Sequence, residues 1–323
     1  MADSVSPFFS VIIPVFNRTH DLAQSVGSVL SQSCQDFEIV IVDDGSKDDP
    51  KAVVDSIGDP RIRFVRQENK GGAAARNRGF DEARGVFVAL LDSDDRFLPH
   101  HLETMRRLLK GSEGTVGYAR MIVDRGGGVS LIKPPRAIAP DEHMAIYLLC
   151  DRGFVPTITI VVERETARRI RYGENWRAAE DTDFAIRLFL AGLKFKMAEE
   201  PGAVWSDEYN PNRTSAGRKG ARLIPWLEQL RPHIPPKAYY GGRGWAIAKG
   251  VAVTKPLRAL RFYLSAVFRG CYRPRLAAVI FLQIFLPDFI YRSIADRAIA
   301  WLRFAPRDTQ SGGEAVPAPQ RIC

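Results

Sequence analysis

With 323 residues, 46% of them hydrophobic and 26% charged, the chain is an ordinary globular protein large enough for a sizeable core plus an appendage. Its four cysteines, Cys34, Cys150, Cys271 and Cys323, are scattered without a CxxC pair, which argues against a zinc site or a disulfide framework and suits a reducing cytosol. The net charge of +9 is concentrated late: from Trp245 to Ala305 ten Lys and Arg face only Asp288 and Asp296, a bias toward a polyanionic surface.

Ser10 to Phe16 (SVIIPVF) and Phe37 to Asp44 (FEIVIVDD) are β-branched apolar runs of strand length, separated by a helical stretch from Asp21 to Gln32. The opening residues lack a basic n-region, so no signal peptide is expected. Ile62 to Arg66 and Val86 to Leu91 repeat the theme across a helical crossover, AAARNRGFDEA. Strands alternating with helices predict βαβ units and a mostly parallel, Rossmann-like sheet with helices on both faces. A helix after Pro99, a strand from Val116 to Val123, a glycine turn at 126–128, a strand from Thr157 to Glu163 and an amphipathic helix from Asp181 to Ala191 make a more mixed second half. From Trp226 onward the pattern is helical and broken by prolines, and 305–323 is rich in Pro, Gly and polar residues, as in a disordered tail.

Val86 to Leu91 is apolar without alternation and stops at Asp92, Ser93, Asp94 and Asp95, so the acids lie at the carboxyl end of a doubly buried strand. Ligand crevices of open α/β sheets lie at those ends. Crowded carboxylates repel, and a hard divalent cation bound through oxygen relieves them, whereas a solvated turn is the plainer reading. Asp43 and Asp44 close the second strand, and Pro14, Val15, Phe16 and Asn17 close the first, so three strand ends together make a nucleotide pocket. No glycine fingerprint follows the first strand and no Walker sequence exists, which leaves a metal and a basic side chain, Arg76 in NKGGAAARNRG, to hold phosphate.

The blocks FSVIIPVFNR, SVLSQSCQDFEIVIVDDGSKD and NKGGAAARNRGFDEARGVFVALLDSDDRFLP resemble the successive blocks of family 2 glycosyltransferases over about the first 110 residues. The resemblance implies a GT-A fold, a nucleotide-diphosphate sugar donor and inverting transfer. It implies that Pro14, Val15, Phe16 and Asn17 line the nucleoside site, that Asp44 with Asp43 contacts base or ribose, and that Arg76 helps hold the nucleotide. Asp92 and Asp94 match the family's DxD around Ser93, with Asp94 the more direct ligand to Mn²⁺ or Mg²⁺. The family's catalytic base matches Asp181 in RAAEDTDFAIRLFLAG, with Asp183 as the competing assignment and simple helix capping as the alternative. Arg213, in NRTS, matches a segment that closes over the diphosphate.

These readings divide the chain into a donor and metal half (1–115), an acceptor half with the base (116–220), a basic amphipathic helical region (221–304) and the tail. Leu276 to Leu286 falls short of a spanning helix, and the arginines and aromatics around it suit a helix lying on an anionic membrane surface, against the alternative of a cap on the catalytic domain. The expected protein is a cytoplasmic, metal-dependent glycosyltransferase, peripheral at the inner face of the membrane. It would use a UDP-sugar and a glycan or lipid-linked acceptor in surface polysaccharide synthesis, with no nucleic-acid partner. A sugar nucleotidyltransferase, or a module that only binds nucleotide-sugars or polyanions, is the rival reading.

Overall fold

A computed structural model describes residues 6–151, 153–175, 179–207 and 223–304. Strands β1 (Phe9–Val15), β2 (Phe37–Asp43), β3 (Ile62–Arg66) and β4 (Phe87–Leu90) are parallel, in the order β3-β2-β1-β4. Helices α1 (Thr19–Leu30), α2 (Pro50–Ile57) and α3 (Gly72–Glu82) make the crossovers. The unbroken apolar runs follow from burial on both faces. Val11, Ile13, Ile39 and Ile41 pack with Leu22 and Val26 of α1. Their neighbours Ile12, Val40, Val42 and Leu90 point the other way and pack with Phe80 of α3.

After β4 come β5 (Arg96–Phe97), α4 (His101–Leu109), β6 (Thr115–Asp124), β7 (Ser130–Lys133), α5 (Met144–Cys150), a 3₁₀ turn (Thr157–Thr159), β8 (Val161–Glu163), α6 (Arg164–Ile170), α7 (Glu180–Leu190) and β9 (Lys194–Ser206). The sheet continues β4-β8-β6-β9-β5, with β8 antiparallel to β4 and β6, β9 parallel to β6, and β7 paired to β6. The strand expected over Thr157 to Glu163 is thus a 3₁₀ turn followed by a short strand. The long β9 was not legible in the sequence because Glu199, Glu200 and Pro201 interrupt its alternation. Its pairing shifts register there, between Ala119 and Met121 of β6, as at a bulge.

The C-terminal helices are α8 (Leu223–Leu230), α9 (Pro236–Gly242), a π-helical turn (Arg243–Ile247), α10 (Ala248–Val251), α11 (Pro256–Phe268), α12 (Pro274–Phe285) and α13 (Asp288–Phe304). Prolines open α9, α11 and α12, where a missing N–H costs nothing. Trp226, Tyr239, Tyr263, Ile280 and Ile284 share one apolar cluster with Ile12 and Leu90, so these helices cap one face of the sheet. The Cys150 and Cys271 thiols both donate to the Lys237 carbonyl at 3.4 Å, joining α5, α9 and the turn before α12. No helix among the described residues is long and apolar enough to cross a membrane. The expected tail, 305–323, lies outside the described residues.

His101 on α4 is fully buried, 4.4 Å from the Phe97 ring, and a Cβ on Gly202 would stand 2.2 Å from its Nδ1. Neither ring nitrogen has a hydrogen-bond partner in the structure. Burial, helped by neighbouring His100, holds the imidazole down to about 3, so the folded chain keeps it neutral where the unfolded chain takes up a proton. The stability this contributes is complete above the unfolded pKa, roughly 6.5, and is lost as pH falls toward 3. Urea unfolding between pH 7 and 4 should show stability falling with a component approaching about 1.4 kcal/mol per pH unit, and His101→Leu should remove that component.

Candidate active site

The loops after β1, β2 and β4 meet at the carboxyl edge of the parallel strands. Two of them are zipped together: Asn17 N–H donates to Ser46 Oγ (3.0 Å), Lys47 N–H to Asn17 Oδ1 (2.8 Å) and Thr19 N–H to Asp48 Oδ2 (2.9 Å). Asn17 has φ 52°, a left-handed conformation that asparagine tolerates better than most residues. Gly45, at φ 77°, lets the β2 loop pass the next one, since a Cβ there would lie 3.0 Å from Asn69 N. Of the four residues expected to line the nucleoside site, Val15 is instead turned into the core. Phe16 is 43% exposed at the edge, with Asn17 beside it.

Asp43 and Asp44 reach the expected edge but face the protein. Asp44 accepts from Lys70 N (2.9 Å), Gly71 N (2.8 Å) and Gln67 Nε2 (2.8 Å), so it anchors the loop leading into α3. Asp43 is fully buried and accepts from Ser46 N–H at 2.9 Å through Oδ1. Its Oδ2, also buried, forms an ion pair with Arg66 Nε at 3.5 Å and has no hydrogen-bond partner in the structure.

Each acid of the 92–95 turn meets a partner from a different element. Asp92 accepts from Arg76 Nη2 at 2.6 Å, Asp94 is paired with Arg18, and Asp95 accepts from Ser206 N–H at 2.9 Å. Ser25 of α1 holds the turn itself, its Oγ 2.8 Å from the carbonyl oxygens of buried Ser93 and of Asp95. Two guanidiniums therefore answer the crowding that the sequence reading assigned to a cation. Arg18, three residues past β1 and at the start of α1, was missed because a lone arginine after a strand has no distinctive spacing. Asp92 and Asp94 remain 32% and 20% exposed. Hard oxygen ligands so placed suit Mg²⁺ or Mn²⁺, which are held by one or two carboxylates with phosphate and water completing the shell. Among the described residues no group of three or more His, Cys, Asp and Glu could form an all-protein cage.

Arg76 links this turn to the helix carrying the candidate base. It is 8% exposed, and its Nη1 lies 3.4 Å from Glu180 Oε2 at the start of α7 while its guanidinium sits 5.2 Å from the Tyr172 ring centroid. Burial opposes its charge, but Asp92, then Asp181 and Glu180, keep its pKa above the ordinary value. Gly72 leaves room for the approach, since a Cβ there would be 3.3 Å from Arg76 Nη1. The adjacent Asn77 binds the segment before α7 from both sides: its Nδ2 donates to the Tyr172 carbonyl (3.0 Å) and to Glu174 (2.7 Å), and its Oδ1 accepts from Tyr172 N–H (2.7 Å).

Asp181, one residue into α7, is partly buried, and burial pushes its carboxyl above the ordinary range against the opposing pull of Arg76 and Thr157. Asp183 is differently placed. It is 4% exposed, with Oδ2 accepting from Arg187 Nε (2.7 Å) one turn along the same helix and Oδ1 from Trp226 Nε1 (2.9 Å), so both oxygens are taken and the second fastens α7 to α8. Arg213 lies outside the described residues.

A parallel sheet whose carboxyl edge carries an acidic turn, with a further acid brought to it on a helix N-terminus, defines the GT-A class of sugar-transfer enzyme. The Glycosyl transferase family 2 model matches residues 10–150. The amylovoran biosynthesis glycosyltransferase AmsB of Erwinia amylovora is 32% identical over 245 residues, covering 72% of this chain and 80% of that protein. The GalNAc(5)-diNAcBac-PP-undecaprenol beta-1,3-glucosyltransferase of Campylobacter jejuni is 36% identical over 54% of this chain and 58% of its own length. Residues 1–349 of S. aureus TarS, crystallised in complex with UDP-GlcNAc, share the fold with TM-score 0.60 and 17% identity over 91% of each chain. The chain belongs to glycosyltransferase family 2.

Replacing Arg76 by Met should leave Asp92 and Glu180 without their shared countercharge. The expected loss in chemical denaturation is about 2–3 kcal/mol, below the usual figure for a broken buried pair because both acids are partly exposed.

Proposed function

We propose that the chain moves a sugar, with inversion, from a UDP-sugar to a hydroxyl of a glycan or lipid-linked acceptor in surface polysaccharide synthesis, working at the cytoplasmic face of the membrane. The observation that carries the reading is Arg76, which reaches both the acidic turn at the donor edge and the helix start bearing Asp181. Transfer requires those two places to lie side by side. The named roles of the Erwinia and Campylobacter relatives, and the UDP-GlcNAc held by TarS on the same fold, support the donor and acceptor classes.

In this reading Phe16 offers its exposed ring to the nucleoside, with Asn17 beside it, and Asp43 Oδ2, buried beneath this edge 3.5 Å from Arg66 Nε, would accept from a base or ribose N–H or O–H only once uncovered. Asp94, with Asp92, would hold Mn²⁺ or Mg²⁺, and Arg18 would release Asp94 to permit it. Such an ion, when bound, supplies positive charge against the departing diphosphate. Asp181 accepts the acceptor hydroxyl's proton as that oxygen attacks the anomeric carbon and the bond to the diphosphate breaks. Its position at a helix N-terminus favours the carboxylate, while burial raises its basicity toward the working pH. Arg76 holds the carboxylates of both regions in register. A nucleotidyltransferase is disfavoured by the family assignment, and a pure binding module would have no use for a base.

Two measurements test this. Asp181→Asn should lower kcat by about 10²–10⁴-fold while leaving UDP affinity within about twofold, and the wild-type kcat/KM should fall on acidification from a pH above the ordinary carboxylate range. Loss of UDP affinity equal to the loss of turnover would reject Asp181 as base. Titration of UDP with Mn²⁺ and with EDTA should show metal-dependent binding that Asp94→Asn abolishes; binding indifferent to metal and mutation would make the turn structural.

A further inference from the structure

Helix α11 has two unlike faces. Ala259, Tyr263 and Ala266 are buried against the core. Leu257, Arg261, Leu264 and Phe268 recur at helical spacing on the outer side, and Leu257 is 81% exposed, Leu264 38% and Phe268 83%. Scattered surface leucines need no explanation, but an apolar stripe over about three turns, interleaved with arginine, does. Arg258, also exposed, flanks the stripe with its guanidinium 5.3 Å from the Phe262 ring centroid.

Charge decides what covers this face. Helix α11 carries no acidic residue, and its exposed cations are Arg258 and Arg261. A second copy of the chain would bring the same cations against one another, and like charges facing each other are destabilising. A nucleic acid would match the cations but leave Leu257, Leu264 and Phe268 in water. An anionic bilayer surface satisfies both requirements, because apolar side chains enter the boundary of headgroups and acyl chains while guanidiniums meet lipid phosphates.

We propose that Leu257, Leu264 and Phe268, with Arg258 and Arg261, are the face by which the chain docks on an anionic membrane surface. The inference rests on the proposed action at the membrane and identifies the contact that achieves it. A single helix face of this size gives reversible attachment, so the enzyme would exchange between bilayer and solution. Docking through α11 leaves the opposite side of the helix packed on the catalytic body, so the site is held near the bilayer without a spanning segment.

The test is co-sedimentation of the full chain with vesicles of phosphatidylglycerol and phosphatidylcholine, or of phosphatidylcholine alone, with UDP affinity and sedimentation velocity measured on the same preparations. Wild type should bind the anionic vesicles and not the zwitterionic ones. L257Q/F268Q and, separately, R258Q/R261Q should each weaken that binding by about tenfold or more, with UDP affinity and oligomeric state unchanged. All four side chains are exposed, so neither variant should disturb folding. Equal binding to both vesicle types, no binding, or variants that bind as wild type would overturn the proposal. So would an apolar variant that dissociates an oligomer and leaves vesicle binding unchanged. Because UDP affinity is read separately, failure of docking leaves the glycosyltransferase reading standing, and failure to bind UDP does not count against docking.

Discussion

The buried guanidinium of Arg76 is the constraint on which the site depends. It lies between Asp92 and Glu180 and against the Tyr172 ring, so one side chain on α3 fixes the distance between the acidic turn and the start of α7. A buried charge of this kind is weak evidence for net stability, because removing it from water offsets much of what its partners return. Its effect is positional. With Asn77 holding the Tyr172 backbone one residue further along α3, the helix grips both regions that chemistry must bring together.

Around that link the edge is built by mutual bracing. Asp44 is taken up by the loop before α3, Asn17 and Ser46 tie the first two loops, and Ser25 and Ser206 hold the acidic turn from opposite sides. Rigid positioning of this sort is how a site whose chemistry needs few groups gains rate, since the reacting atoms are held rather than found. Arg18 and Arg76 show a second principle. Carboxylates crowded at one turn need countercharge, which a partly exposed guanidinium, Arg18, supplies to Asp94 and a buried one, Arg76, supplies to Asp92.

The C-terminal helices extend this economy to the outside of the molecule. Their inner residues complete the core over one face of the sheet, so they are part of the catalytic body, yet the outer face of α11 combines exposed apolar side chains with exposed arginines. Covering the core and displaying an unsatisfied face are separate tasks, and a helix with period 3.6 can perform both at once.

Much of this was legible in the sequence. Apolar runs such as Val86–Leu91 announced doubly buried parallel strands, because a strand covered on both faces has no reason to alternate, and the acids after β2 and β4 therefore had to fall on one edge. The helical appendage was equally plain from its proline-broken pattern. What the sequence could not decide was which way side chains turn at that edge. Val15 faces the core although it adjoins exposed Phe16, and Asp44 faces a loop although its chemistry suits a ligand, because those outcomes depend on contacts with residues dozens of positions away. The surroundings of Asp181 and Asp183 were of the same kind: two carboxylates two residues apart on a helix point in different directions, and Asp183 meets Arg187 on its own helix and Trp226 of α8. Local pattern determined most of the elements and their order, though not the interrupted β9; packing between distant segments determined which way the polar groups of the edge turn.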